Sequence, residues 1–231
     1  MIVGMWMTQE PITIAPQASV ADAAVEMSRR HVRRLLVTDA TTDGPRLLGI
    51  VTSQDVARAF PADVNPFSAV AGDARMSRPV SAVMARAVRT TTPDTPIEVA
   101  ASILRTHKIG ALPVMRGPRL VGLITESDIF QAFIEMTGAK ARGVRITFDA
   151  GDDETAVACV VEMSARHRMH LASVLSLHHR NTQTGNEQRL AVVRLTGETP
   201  ADLVAEIWTS GHRVLSVLHL DGHEAIAPRL P

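Results

Sequence analysis

Apolar residues recur at helical spacing over Val20, Ala23, Ala24 and Met27, and again over Ile97, Ala100, Ala101 and Leu104. Each set puts a single apolar stripe on one helix face, the pattern of a helix lying against a sheet. Behind each helix come two short apolar runs separated by a Gly-Pro turn: Leu35–Val37 with Leu47–Val51, and Ala111–Met115 with Leu120–Ile124. These predict paired strands. A short strand and a Pro-containing turn precede each helix, and a further helix is expected to start at Ser53 and at Glu126. The predicted order is β-α-β-β-α, twice over. Ser19 and Thr95 are the expected N-caps. Thr95-Pro96-Ile97-Glu98 reads as a capping box with Pro at N1 and Glu at N3, and Asp22 takes the glutamate's place after Ser19.

The two halves are copies of one pattern. Residues 12–37 align with 89–114 without a gap, placing Pro16 on Pro93, Val20 on Ile97, Met27 on Leu104 and Val37 on Val114. Residues 47–60 (LLGIVTSQDVARAF) then align with 120–133 (LVGLITESDIFQAF), after a turn that is longer in the first copy. Length changes confined to a turn leave the packed elements intact. The stretch 61–78, rich in Pro, Ala, Asp and Ser, reads as a linker.

After Gly138 the pattern changes. Residues 144–148 alternate like a strand, and Val157, Val160, Val161 and Ser164 fall at helical spacing. Residues 171–179 and 189–195 read as the strands of a hairpin. Pro200 stands at the expected N1 position of another helix, Gly211 suits its C-cap, and 213–220 reads as a closing strand. That order is βαββαβ, a ferredoxin-like arrangement.

Composition narrows the function. Hydrophobic residues make up 45% of the 231, enough for proper cores. Lys plus Arg and Asp plus Glu are both 24, so no basic excess favours nucleic acid. With 3% aromatic residues there are few rings on which bases could stack. Cys159 is the single cysteine, which excludes an intramolecular disulfide and a cysteine-based zinc site. Neither a signal peptide nor a membrane-spanning run is visible, so a cytoplasmic location, away from membranes, is expected. Seven of the histidines fall late in the chain, at 167, 170, 178, 179, 212, 219 and 223; a metal site could be drawn from them, but scattered surface histidines are the favoured reading.

Two constellations carry candidate chemistry. Thr52 with Asp55, and Thr125 with Asp128, each stand at a strand-to-helix junction. A threonine cap with an acid three residues on is an ordinary helix start. The same geometry also presents a hydroxyl and a carboxylate side by side, suited to ribose hydroxyls. Arg33 and Arg34 lie where the chain enters a strand, preceded by Arg29, Arg30 and His31. The first arginines suit the negative end of a helix, whereas Arg33 and Arg34 fit that role less well. The second copy has Gly110 and Ala111 in their place. No P-loop, GxSxG or HExxH motif is present.

The GIVTSQD and GLITESD segments, with HVRRLLV and HKIGALPV, resemble those of CBS domains, and the two together resemble a Bateman module. The resemblance implies a nucleotide cleft lined by Thr52, Asp55, Thr125 and Asp128 toward ribose, and by Arg33 and Arg34 toward phosphate. Val83, Ile109 and Ala111 resemble base-contacting positions, though apolar residues there are equally core. A ferredoxin-like unit after such a pair resembles the acetoin-utilisation protein B (AcuB) family, whose last domain is ACT-like. Residues 149–154 lack the Pro-Gly pair of amino-acid-sensing ACT domains, which favours dimerisation over ligand binding there.

The expected architecture is thus α/β (α+β): CBS domains at 1–60 and 79–137 as a pseudo-two-fold pair, then an ACT-like ferredoxin-fold domain at 142–223. The expected function is regulatory and not enzymatic, with AMP, ADP, ATP or S-adenosylmethionine as ligand and no required cofactor. A homodimer and an unknown regulated protein are the expected partners. A ligand-free scaffold and an enzyme of acetoin or acetyl metabolism are the alternatives.

Overall fold

The computed structural model describes residues 1–41, 44–59, 77–139, 142–151, 155–180, 187–199 and 201–220. The chain divides into two units, Met1–Phe130 and Gln131–Pro231. Most of the expected linker, residues 152–154 of the 149–154 loop, the hairpin turn 181–186, Pro200 and His223 lie outside the described residues.

In the first unit, the first repeat supplies β2 (Thr13–Ile14), α1 (Val20–Arg30), β3 (Arg34–Thr41), β4 (Gly44–Thr52) and α2 (Ser53–Ala59). The second supplies α3 (Ile97–His107), β5 (Ala111–Arg116), β6 (Arg119–Thr125) and the first residues of α4 (Glu126–Met136), whose later residues are counted in the second unit. The stripes bury as their spacing requires: Val20, Ala23, Ala24 and Met27 are fully covered, as are Ile97, Ala100 and Leu104. They pack on the inward residues of their sheets, among them Leu35, Val37 and Val51 in the first repeat.

The repeats exchange their leading segments. Residues 1–9 lie against the second repeat: β1 (Thr8–Gln9) pairs antiparallel with β6, giving the sheet order β1-β6-β5. Residues 78–85 lie against the first repeat in the same way, where Ala85 bridges to Ile50 beside the sheet β2-β3-β4. The hydrogen bonds repeat in kind. Val3 N–H donates to Thr95 O at 2.9 Å and Val80 N–H to Ala18 O at 2.8 Å; Gly4 donates to Pro93 O and Ser81 to Pro16 O. Ile97 N–H, at the start of α3, is satisfied by Met1 O, and Val20 N–H, at the start of α1, by Arg78 O.

This crossing explains the glycine that opens each GhxTxxD segment. A Cβ on Gly49 would come within 2.7 Å of Ala85 O and 2.8 Å of Met84 Sδ. One on Gly122 would meet Met7 Sδ at 2.7 Å and Thr8 O at 3.0 Å. The exchanged backbone passes where a side chain would stand.

The helix starts differ from expectation in one respect. Ser19 forms the full capping box, its Oγ accepting from Asp22 N–H at 3.0 Å while its own N–H donates to Asp22 Oδ2 at 2.9 Å. In the second repeat Pro96, not Thr95, is the N-cap, and no side chain caps α3. Thr95 Oγ1 instead accepts from Thr92 N–H at 3.2 Å. Proline aligns with Ser19 and has no side-chain acceptor, so Val99 N–H, the counterpart of Asp22 N–H, donates to Pro96 O at 3.1 Å instead.

The second unit contains β7 (Gly143–Asp149), α5 (Thr155–Arg166), β8 (His170–Arg180), β9 (Glu187–Thr196), α6 (Ala201–Trp208) and β10 (Val214–Leu220). Its sheet is antiparallel in the order β10-β7-β9-β8, the ferredoxin-like topology. Both helices pack on one face, through Val144, Ile146, Phe148, Val193, Leu195, Leu203 and Ile207. The buried stripe of α5 is Ala156, Val160, Met163 and Ser164, with Val157 packed against the same core; Val161, expected inward, is exposed. Among the described residues no helix is long and apolar enough to cross a membrane.

The two helix starts make a testable contrast. Hydrogen bonds from Ser19 hold the Asp22 carboxyl below its ordinary value of 3.8. That contribution is complete above the ordinary value and is lost as pH falls through the depressed one. Ser19→Ala should therefore lower stability by about 1 kcal/mol in urea unfolding at neutral pH, with the deficit shrinking in acid. Thr95→Ala should cost measurably less at every pH; equal losses would contradict the capping assignment.

Candidate functional site

Both Thr–Asp pairs sit where a strand gives way to a helix. Thr52 ends β4 and Thr125 ends β6, each one residue before its helix. Thr52 Oγ1 and Thr52 N–H both donate to Asp55 Oδ2, at 2.6 and 2.9 Å, and Asp55 N–H donates back to Thr52 Oγ1 at 3.3 Å. The second pair repeats this at 2.7, 2.8 and 3.4 Å. The ordinary capping role is thus filled in both copies. It uses one carboxylate oxygen; Oδ1 takes none of these bonds, and as a fixed acceptor it suits a ligand hydroxyl.

Two cavities open beside these pairs. The first, of about 220 Å³, is lined by Thr125–Asp128 and Leu123, by Val32, Arg33 and Arg34 from the other repeat, and by Thr8, Pro11 and Ile12 from the leading segment. The second, of about 430 Å³, is lined by Ile50, Thr52–Asp55, by Lys108–Ala111 from the other repeat, by Ala85 and Ala87–Arg89, and also by Arg33 and Arg34. Each cleft has the same three parts, a motif, the opposite repeat's helix-to-strand turn and a leading segment. The exchange is what brings them together.

The clefts are unequal in charge. Arg89 in the second stands where the first has Ile12, and Lys108 adds a further cation. The first has Glu126 beside Asp128. Arg34 lines both. Its Nη1 donates to Gly110 O across the repeat boundary. A Cβ on Gly110 would lie 2.8 Å from Arg34 Nη2, so the glycine leaves the room that this guanidinium fills. Burial, and after it the neighbouring Arg33, hold the Arg34 guanidinium below its ordinary range, while Glu126 and Asp128 act in the opposite direction.

Of the positions singled out in the sequence, Thr52, Asp55, Arg33, Arg34, Ile109 and Ala111 meet in the second cleft, and Thr125, Asp128, Arg33 and Arg34 in the first. Val83 lines neither. It follows the 3-10 turn Val80–Ala82 and packs against the first repeat's core, the apolar alternative weighed for it. Arg29 and Arg30 pair with Glu26 on the surface of α1, at 2.7 and 3.1 Å. Arg89, Lys108, Glu126 and Ile12 were not picked out. Their signal was the repeat itself, since the offset that aligns Pro16 with Pro93 also sets Ile12 against Arg89 and His31 against Lys108. In the second unit, Glu206 takes His167 at 2.8 Å and Arg166 at 2.5 Å. Among the described residues no group of three or more His, Cys, Asp or Glu could hold a metal ion.

Comparison with known proteins identifies the two repeats. The CBS domain family model matches residues 3–62 and 80–135. A solved Vibrio cholerae protein named for acetoin utilization (AcuB) is 28% identical, with a TM-score of 0.51, covering 60% of this chain and 93% of that one. The CBS domain pair of protein MJ0100, solved with 5′-methylthioadenosine and S-adenosyl-L-methionine, is 26% identical over 58% of this chain and 95% of its own, with a TM-score of 0.48. Homoserine O-acetyltransferase of Methanococcoides burtonii is 34% identical over 124 residues, which are 53% of this chain and 22% of the enzyme. The chain therefore spans less than a quarter of that enzyme's length. With both repeats matched and both motifs at their junctions, the chain belongs to the CBS domain family, as a tandem pair followed by a ferredoxin-like unit.

Proposed function

We propose that the CBS pair is a regulatory sensor of an adenine nucleotide or adenosyl metabolite and not a catalyst. The observation that carries this reading is the second cleft, where the Thr52–Asp55 pair faces Arg33, Arg34, Arg89 and Lys108 across about 430 Å³. A carboxylate oxygen suits ribose hydroxyls, and guanidinium groups suit a phosphate ester. Ile50, Val88, Ile109 and Ala111 offer the apolar wall a purine needs. Because each cleft takes residues from both repeats, a ligand there bridges them and favours whichever packing it fits best.

Self-association is a second part of the proposal, and α4 supports it. Phe130 is 72% exposed, and Phe133, Ile134 and Met136 are exposed on the same helix. Apolar residues at this spacing form a stripe of the kind that packs against another helix. The ferredoxin-like unit has the arrangement expected of an ACT-like domain, and we assign it to assembly as well.

Thermal unfolding with AMP, ADP, ATP and S-adenosylmethionine tests the sensor. A compound present at 100 times its Kd should add about 2.7 kcal/mol and raise the midpoint. Asp55→Ala should abolish most of that gain for a phosphorylated ligand, and Asp128→Ala a smaller share. No shift with any of the four would leave the scaffold reading in its place. For assembly, sedimentation should find a dimer that Phe130→Asp weakens at least about tenfold, in line with the loss of an interface anchor; an unchanged dimer would remove α4 from the interface.

A further inference from the structure

Arg34 occupies a singular place in the pair. It starts β3 and is in register with Thr52, so its backbone belongs beside the second cleft. Its guanidinium reaches Gly110 O, one residue before Ala111, which is in register with Thr125 of the first cleft. The side chain thus spans from one motif to the other. The corresponding position in the second repeat is Ala111, so no matching side chain returns across the boundary. Arg33 lines both clefts too, but it is the Arg34 guanidinium that holds Gly110 O.

Gly110 O has a second duty. It also accepts from Glu126 N–H, the first amide of α4, at 3.3 Å. The matching bond in the other repeat runs from Ser53 N–H to Arg33 O at 2.9 Å. Moving Arg34 therefore alters the hydrogen bonding of the turn that carries Thr125 and Asp128. It also takes a cation away from Glu126 and Asp128, which act on it electrostatically.

We infer that the two clefts compete for Arg34, so that a phosphorylated ligand in the second cleft weakens binding of a second such ligand in the first. This rests on the nucleotide-sensing reading and adds a mechanism to it. A phosphate in the second cleft has Arg89 and Lys108, which do not line the first, and draws Arg34 from Gly110 O toward itself. The first cleft then has Arg33 as its remaining lining cation, against Glu126 and Asp128. A ligand without phosphate makes no such demand. Adenosine and AMP, which share base and ribose, separate the two cases.

Calorimetric titration of the whole chain provides the test. In the wild type AMP should bind in two unequal steps. In Asp55→Ala, with the second cleft disabled, the first cleft should bind AMP about fivefold or more tighter than the wild type's second step, the coupling having been removed. Two intrinsically unequal but independent clefts would leave those affinities the same, and that outcome overturns the inference. Arg34→Ala should erase the difference between the wild type and Asp55→Ala backgrounds. Gly110→Ala, whose Cβ displaces the guanidinium while leaving both motifs intact, should reduce it as well. With adenosine no difference between backgrounds should appear at the first cleft; a difference of the same size would show that the phosphate is not what is shared. If neither AMP nor adenosine binds the wild type, the sensing reading fails first, and the wild-type titration shows this without any variant.

Discussion

The exchange of leading segments is the constraint on which the first unit depends. Each repeat alone has two paired strands and two helices, with one short leading strand added in the first, too little to close a core or satisfy the first helical amides. Residues 1–9 and 78–85 cross over to supply the missing edge, the 3-10 turn and the carbonyl that meets α3 or α1. The same crossing places Thr8, Pro11 and Ile12 in one cleft and Ala85, Val88 and Arg89 in the other. Stability and binding surface arise from one set of contacts, so a ligand that tightens a cleft also tightens the joint between the repeats.

Pseudo-symmetry sets up the clefts and departures from it give them character. The backbone bonds at 3, 4 and 97 recur at 80, 81 and 20. Against that background a few unmatched residues stand out: Arg34 against Ala111, Arg33 against Gly110, and Arg89 against Ile12. All three tilt positive charge toward the second cleft or the boundary. In a duplicated fold these are the positions where one site can be made to differ from the other without disturbing the frame, because they lie in turns and on strand ends.

The repeat, its helices and the Thr–Asp pairs were legible in the sequence because each rests on local spacing. Helical stripes at 20–27 and 97–104 need only the 3.6-residue period, and βαββαβ order follows from pattern and turns. What local spacing could not reveal was partnership. Nothing near Gly49 or Gly122 announces that another segment's backbone crosses there, since the clash that excludes a Cβ comes from Ala85 and Met84, or from Met7 and Thr8. Thr95 looked like a cap for the same reason: its own neighbours fit a capping box, and only the alignment of Pro96 with Ser19, together with the distant Met1 carbonyl, shows where the helix begins. Val83 could not be divided between core and cleft without knowing which face of its turn meets the first repeat.

The claim that each cleft is assembled from both repeats is tested most directly by hydrogen exchange, followed by mass spectrometry, with and without saturating AMP. The account predicts protection together in three separated segments, around 50–56, 85–91 and 108–112, in the same titration. Protection confined to 50–56 alone, within one repeat, would contradict it.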